Sequence, residues 1–170
     1  MSEAPPTIVF DAPSESATAS LGRVLGSDLP PGTTVALIGT LGAGKTRLVQ
    51  AAAEGAGVPP GTALSPTFVL IQHYQGVRTI HHIDAYRLRD EDEFQELGPE
   101  ELFESDGLTF VEWADRVEVC LPSDHLRVEI DVLGKSARRF RITAVGDRLR
   151  DAASRLARAV VAIRSDLGNE

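Results

Sequence analysis

The chain has 170 residues, 42% of them hydrophobic, a formal net charge of −8 and one cysteine, Cys120. That length suits a single domain over residues 1–170, and one cysteine excludes an internal disulfide and fits a reducing compartment. The negative balance argues against a broad nucleic-acid grip, no stretch nears the roughly 18 apolar residues of a membrane span, and Met1–Pro6 has neither half of a secretory signal, so a soluble cytoplasmic protein is expected.

Residues 1–6 read as a frayed lead-in, and Thr7-Ile8-Val9-Phe10 as a short edge strand. Ser14 to Leu25 has helical spacing, with Ser14 or Ser16 placed to cap it. Pro30-Pro31-Gly32 turns into Thr33–Ile38, an apolar, β-branched run suited to a buried strand. The octet Gly39-Thr40-Leu41-Gly42-Ala43-Gly44-Lys45-Thr46 follows and fits G-x-x-x-x-G-K-[ST] at every fixed position. Lys45 to Ala56 then reads as a helix, stopped by Gly55 and Gly57. Thr67–Tyr74 and Thr79–Ile83 read as strands joined by a turn at Gln75-Gly76. Asp90–Phe103 is helical and acidic, and Leu108–Val111 is a compact buried strand. Leu126–Leu133 and Arg139–Val145 alternate around Gly134 as a β-hairpin, and Asp147–Ile163 closes the chain with an amphipathic helix. The expected fold is an α/β, phosphate-loop (P-loop) NTPase-like three-layer sandwich. Its central sheet is expected to be mixed and mostly parallel, with the C-terminal hairpin and helix appended.

The octet carries the chemistry. Its glycines let the backbone curl so that successive N–H groups face a phosphate, and the following helix adds its positive end. Leu41, Gly42, Ala43 and Gly44 supply that backbone. Lys45 is placed to reach the β- and γ-phosphates, and the Thr46 hydroxyl to take one site on Mg²⁺. Only two lysines, Lys45 and Lys135, stand against fifteen arginines, so chance is a poor account of a lysine at this position.

Hydrolysis also asks for a carboxylate at the end of a neighbouring buried strand, and two are offered. Thr79–Ile83 delivers Asp84, and Leu108–Val111 delivers Glu112; at least one is expected to contact the metal, directly or through water. Ser65-Pro66-Thr67 lies where nucleotide switches keep a γ-phosphate-sensing threonine, although it also reads as a plain turn into a strand. His81 and His82, adjacent on a strand, point to opposite faces and cannot easily share a zinc ion. Trp113 reads as core or rim, and the acidic run from Asp90 to Glu104 as a solvated face or a docking face. Residues 1–134 hold 8 basic and 21 acidic side chains, and residues 135–170 hold 9 and 4. The basic end reads as a solvated helix, or else as a docking surface for an acidic partner or RNA.

Together these blocks resemble the TsaE (YjeE) family, the small ATPase of bacterial tRNA threonylcarbamoyladenosine (t6A) biosynthesis. The resemblance spans about Ile38 to Arg116. It is carried by the octet, Ser65-Pro66-Thr67-Phe68, His82-Ile83-Asp84-Ala85-Tyr86-Arg87-Leu88 and Val111-Glu112-Trp113. It implies Thr46 and Glu112 as Mg²⁺ ligands, Asp84 as a second acid needed for hydrolysis, Thr67 in a switch-like loop, and Trp113 beside the nucleotide. It also brings the segment near Ser14 and the late hairpin near Ser136 towards the base. The implied partners are ATP or ADP and the TsaB and TsaD proteins, with tRNA reached through the complex and no membrane. Two other classes compete: a nucleotide-gated adaptor without useful turnover, and a small-molecule phosphotransferase.

Overall fold

The computed structural model describes residues 4–63 and 69–169. β1 (Thr7–Ala12) leads into α1 (Glu15–Asp28), β2 (Thr34–Gly39), α2 (Lys45–Gly55), β3 (Ile71–Gln75) and β4 (Thr79–Asp84). The second half runs α3 (Glu91–Glu96), α4 (Pro99–Phe103), β5 (Leu108–Glu112), β6 (His125–Val132), β7 (Arg138–Val145) and α5 (Arg150–Leu167). Local chemistry sets several of these boundaries. Ser14 caps α1 by accepting from Ala17 N at 3.2 Å, and Asp90 caps α3 by accepting from Glu93 N at 2.9 Å. The acidic helix expected from Asp90 to Phe103 is in fact two. Gly98 adopts φ 67°, outside the helical region, and Pro99 opens the second piece at its first turn.

The seven strands among the described residues join one sheet, in the order β1-β7-β6-β2-β5-β4-β3. The centre is parallel: β6, β2, β5 and β4 are related by three parallel pairings. The flanks are antiparallel, through β1–β7, β6–β7 and β3–β4. The mixed sheet is as expected, but its parallel share is smaller than "mostly", because each hairpin contributes an antiparallel pair and β1 closes the edge in the same sense.

Strand alternation divides the core into two clusters, one on each face. One gathers Leu21, Leu25, Leu48, Val49, Leu108, Phe110, Leu156 and Val160 under α1, α2 and α5. The other gathers Ile83, Leu88, Phe94, Val111 and Val117 under α3 and α4. On β5 this alternation puts Leu108, Phe110 and therefore Glu112 on the α2 side. α1 and α2 pack almost backbone to backbone, since a Cβ at Gly26 would lie 1.8 Å from the Ala52 carbonyl oxygen. Among the described residues, no helix is long and apolar enough to cross a membrane.

Candidate functional site

The site lies at the C-terminal ends of the parallel strands, where an open α/β sheet places its ligand crevice. β2 ends at Gly39 and α2 begins at Lys45, so the octet joins a central strand to a helix N-terminus. Gly42 and Gly44 have φ of 79° and 104°, a region that side-chain-bearing residues rarely enter. Those angles curl the loop and bring Ala43 N to Thr40 O at 3.0 Å. Lys45 is buried and folded onto its own loop, donating to Gly39 O at 2.6 Å and Thr40 O at 2.9 Å. Its ammonium also lies 3.9 Å from the centre of the Trp113 ring, a cation–π contact. Burial lowers the Lys45 pKa, while Glu112, Asp115 and Asp84 pull it back up.

Both candidate acids reach the same crevice. Asp84 and Glu112 are register partners at the ends of β4 and β5. Thr46 Oγ1, in the first turn of α2, donates to Glu112 Oε1 at 2.7 Å. The second carboxylate oxygen of Glu112 accepts from His82 Nε2 at 3.0 Å, and both side chains are buried. Asp84 accepts from Tyr86 N at 3.0 Å. Burial raises the Asp84 pKa, against the Tyr86 hydrogen bond, and the neighbouring Glu112 charge raises it further. His81 turns to the opposite face, as strand alternation requires. There its Nδ1 lies 2.7 Å from His73 Nδ1 and its Nε2 lies 3.1 Å from Ser105 Oγ.

Leu41, Gly42, Ala43, Gly44, Lys45, Thr46, Arg47, Asp84, Tyr86, Glu112 and Trp113 thus line an open cleft of about 290 Å³. Trp113 enters it from a backbone with φ 59°, the only positive φ at a non-glycine position among the described residues, and its ring lies 4.9 Å from that of Tyr86. Two expected residues stand outside the lining. Ser14 caps α1, and Ser136 sits in the turn between β6 and β7. Thr67, with Ser65 and Pro66, lies outside the described residues. Sequence reasoning gave no role to His82, which fixes one side of Glu112, or to Tyr86, whose ring packs at a tilt against Trp113. The alternation that puts His82 and Asp84 on one strand face was the available signal for the first. A larger hollow, about 550 Å³, lies near Pro31, Glu104, Cys120 and Arg148, far along the strands from the octet and without its motif chemistry.

Fold and loop together define an α/β protein with a G-x-x-x-x-G-K-[ST] loop at its strand ends and two carboxylates beside it. Residues 12–140 match the family described as threonylcarbamoyl adenosine biosynthesis protein TsaE, and the chain belongs to that family, which acts in t6A biosynthesis. The tRNA threonylcarbamoyladenosine biosynthesis protein TsaE of Bacillus subtilis is 39% identical over 132 residues, covering 77% of this chain and 82% of that one. The protein of the same name from Treponema pallidum is 36% identical over 125 residues, covering 74% and 92%. The crystal structure of Bacillus subtilis YdiB superposes with a TM-score of 0.77 at 30% identity, over 92% of this chain and 98% of that one.

Proposed function

We propose that this chain binds and hydrolyses ATP with Mg²⁺, and that the reaction supports turnover of a TsaB–TsaD complex in t6A biosynthesis in the cytoplasm. The carrying observation is the 2.7 Å contact between the Thr46 hydroxyl and the Glu112 carboxylate, which joins the start of the loop helix to the end of a neighbouring strand. Both are hard oxygen donors of the kind Mg²⁺ accepts, so Thr46 and Glu112 would hold the ion, with Asp84 beside them through water. When bound, the ion would offset charge on the β- and γ-phosphate oxygens.

The remaining roles fall to the chain itself. Backbone N–H groups of the octet and the N-terminus of α2 hold the phosphates. Lys45 exchanges its two loop carbonyls for phosphate oxygens, a stronger charge-assisted pairing. Asp84, whose carboxyl binds protons more readily than usual, orients the attacking water. Trp113 walls the cleft beside Lys45. The test is phosphate release from ATP by the wild type and Lys45→Ala, each alone and with TsaB and TsaD from the same organism. Loss of one phosphate-stabilising donor lowers turnover by roughly a hundredfold or more. Wild-type turnover in a folded Lys45→Ala protein would remove the octet from the reaction.

A further inference from the structure

The phosphate loop is also held from outside, by a residue far from it in sequence. Arg138, the first residue of β7, donates from Nε to Ala43 O at 2.9 Å and from Nη2 to Gly42 O at 3.3 Å. Its Nη1 donates to Gly134 O and Ala137 O, each at 2.9 Å. Four of the five guanidinium N–H groups are therefore committed to main-chain carbonyls, two in the loop and two in the β6–β7 turn. The backbone of Arg138 is fixed on both sides, in register with Ala12 of β1 and Val132 of β6.

We propose that Arg138 is a positioning residue for the phosphate loop: it turns the Gly42 and Ala43 carbonyls away from the cleft and so fixes the curl that presents the loop's N–H groups to phosphate. The proposal rests on reading the octet as the nucleotide site. Peptide units are planar, so a carbonyl drawn towards Arg138 aims the next residue's N–H the opposite way. For the Ala43 carbonyl, that N–H belongs to Gly44. Without such a clamp the two left-handed glycines leave the loop many alternative conformations. Lys45 holds the Gly39 and Thr40 carbonyls in a similar way, but its ammonium is the group required by the phosphates. Arg138, with its donors already committed, keeps its grip when Lys45 moves. A lysine at this position could not reproduce the fork.

The test uses the full chain as wild type, Arg138→Ala and Arg138→Lys, reading ATP affinity by calorimetry with Mg²⁺, melting temperature, and amide hydrogen exchange without nucleotide. Arg138→Ala is expected to bind ATP roughly tenfold more weakly, the scale of one charge-assisted hydrogen bond. Exchange should quicken at Gly42–Lys45 in particular, and Arg138→Lys should recover only part of either change. Wild-type ATP affinity with unchanged loop exchange overturns the proposal, as does exchange that quickens evenly through the chain. If Arg138→Ala fails to fold, Arg138→Lys decides, and full wild-type affinity there overturns the fork. A wild type that binds no ATP, but whose loop exchange still depends on Arg138, removes the nucleotide reading and leaves the clamp.

Discussion

Glu112 is held on both oxygens, by the Thr46 hydroxyl on one and the His82 ring on the other, so its carboxylate plane is fixed before any ligand arrives. Removing His82 frees that plane and leaves a buried carboxylate oxygen without its donor. Under the proposed function, His82→Ala is therefore expected to weaken Mg²⁺-dependent ATP binding about 10- to 100-fold, the usual cost of losing an orienting partner behind a metal ligand. Titration with Mg²⁺ and with a chelator checks it; equal loss in both would assign His82 to packing instead. Asp84 supports a prediction about pH. Its folded-state pKa is raised, chiefly by burial, so folding favours the protonated form. The associated stability is present below the unfolded carboxyl range and is lost as pH rises through the folded value. At neutral pH the ionised carboxylate therefore costs stability. Asp84→Asn should lose turnover yet melt higher at pH 7, by about 2–4 °C for each kcal/mol recovered. The gain should shrink towards pH 4, and equal gains at both pH values would place the effect outside this ionisation. The place of the octet between β2 and α2, and of Asp84 and Glu112 at neighbouring strand ends, was legible because the one is a local motif and the others close apolar strand runs. His82 was not read as a partner of Glu112 because the contact crosses 30 residues: alternation puts His82 on the Asp84 face of β4, but no local pattern says that β5 brings Glu112 beside it.

At the scale of elements, the tightest joint is between α1 and α2, the pair that sets where the loop helix stands. A methyl group at Gly26 would meet the Ala52 carbonyl, which is backbone and cannot swing aside. Gly26→Ala should gain helix propensity and still destabilise the fold by about 2 kcal/mol through forced separation of the helices. That corresponds to a melting temperature roughly 4–8 °C lower. An unchanged melt would mean that the two helices slide apart at no cost. The strand–loop–helix order, the β3–β4 hairpin and the β6–β7 hairpin were all readable from periodicity and turn residues. The break between α3 and α4 is marked in the sequence only by Gly98-Pro99, a turn dipeptide, while the acidic, Phe94-bearing pattern continues across it. Only the left-handed conformation at Gly98 and the helix-opening place of Pro99 mark the boundary. Arg138 shows the same limit: sequence places it at the end of a hairpin, while its contact with Ala43 spans 95 residues.

Across the whole molecule, charge is segregated along the chain, and part of the basic segment is paired within the fold. Arg139 forks onto Asp11, Arg141 meets Glu129 and Asp131, and Arg150 meets Asp147. Lys135, Arg148, Arg155, Arg158 and Arg164 are exposed and in no ion pair among the described residues. On a chain of net charge −8 these cations make a poor grip for RNA alone. The cleft at the octet is lined by the loop, Lys45, two carboxylates and two aromatic rings, and among the described residues its lining holds no second set of convergent polar groups. Under the proposed function, the free energy of hydrolysis must therefore act on the conformation of another protein, which requires that protein to bind the ATP and ADP states differently. Thr67, placed by its sequence position to sense γ-phosphate, is the expected reporter of that difference. A non-hydrolysable ATP analogue should then tighten association with TsaB–TsaD relative to ADP. The contrast should be about five- to a hundredfold, the usual range of such coupling, and Thr67→Ala should flatten it. Association measured at fixed salt for both nucleotides decides the matter. Equal affinity in the two states would leave hydrolysis uncoupled from the complex and return the chain to the class of phosphate-loop proteins that act on a small molecule.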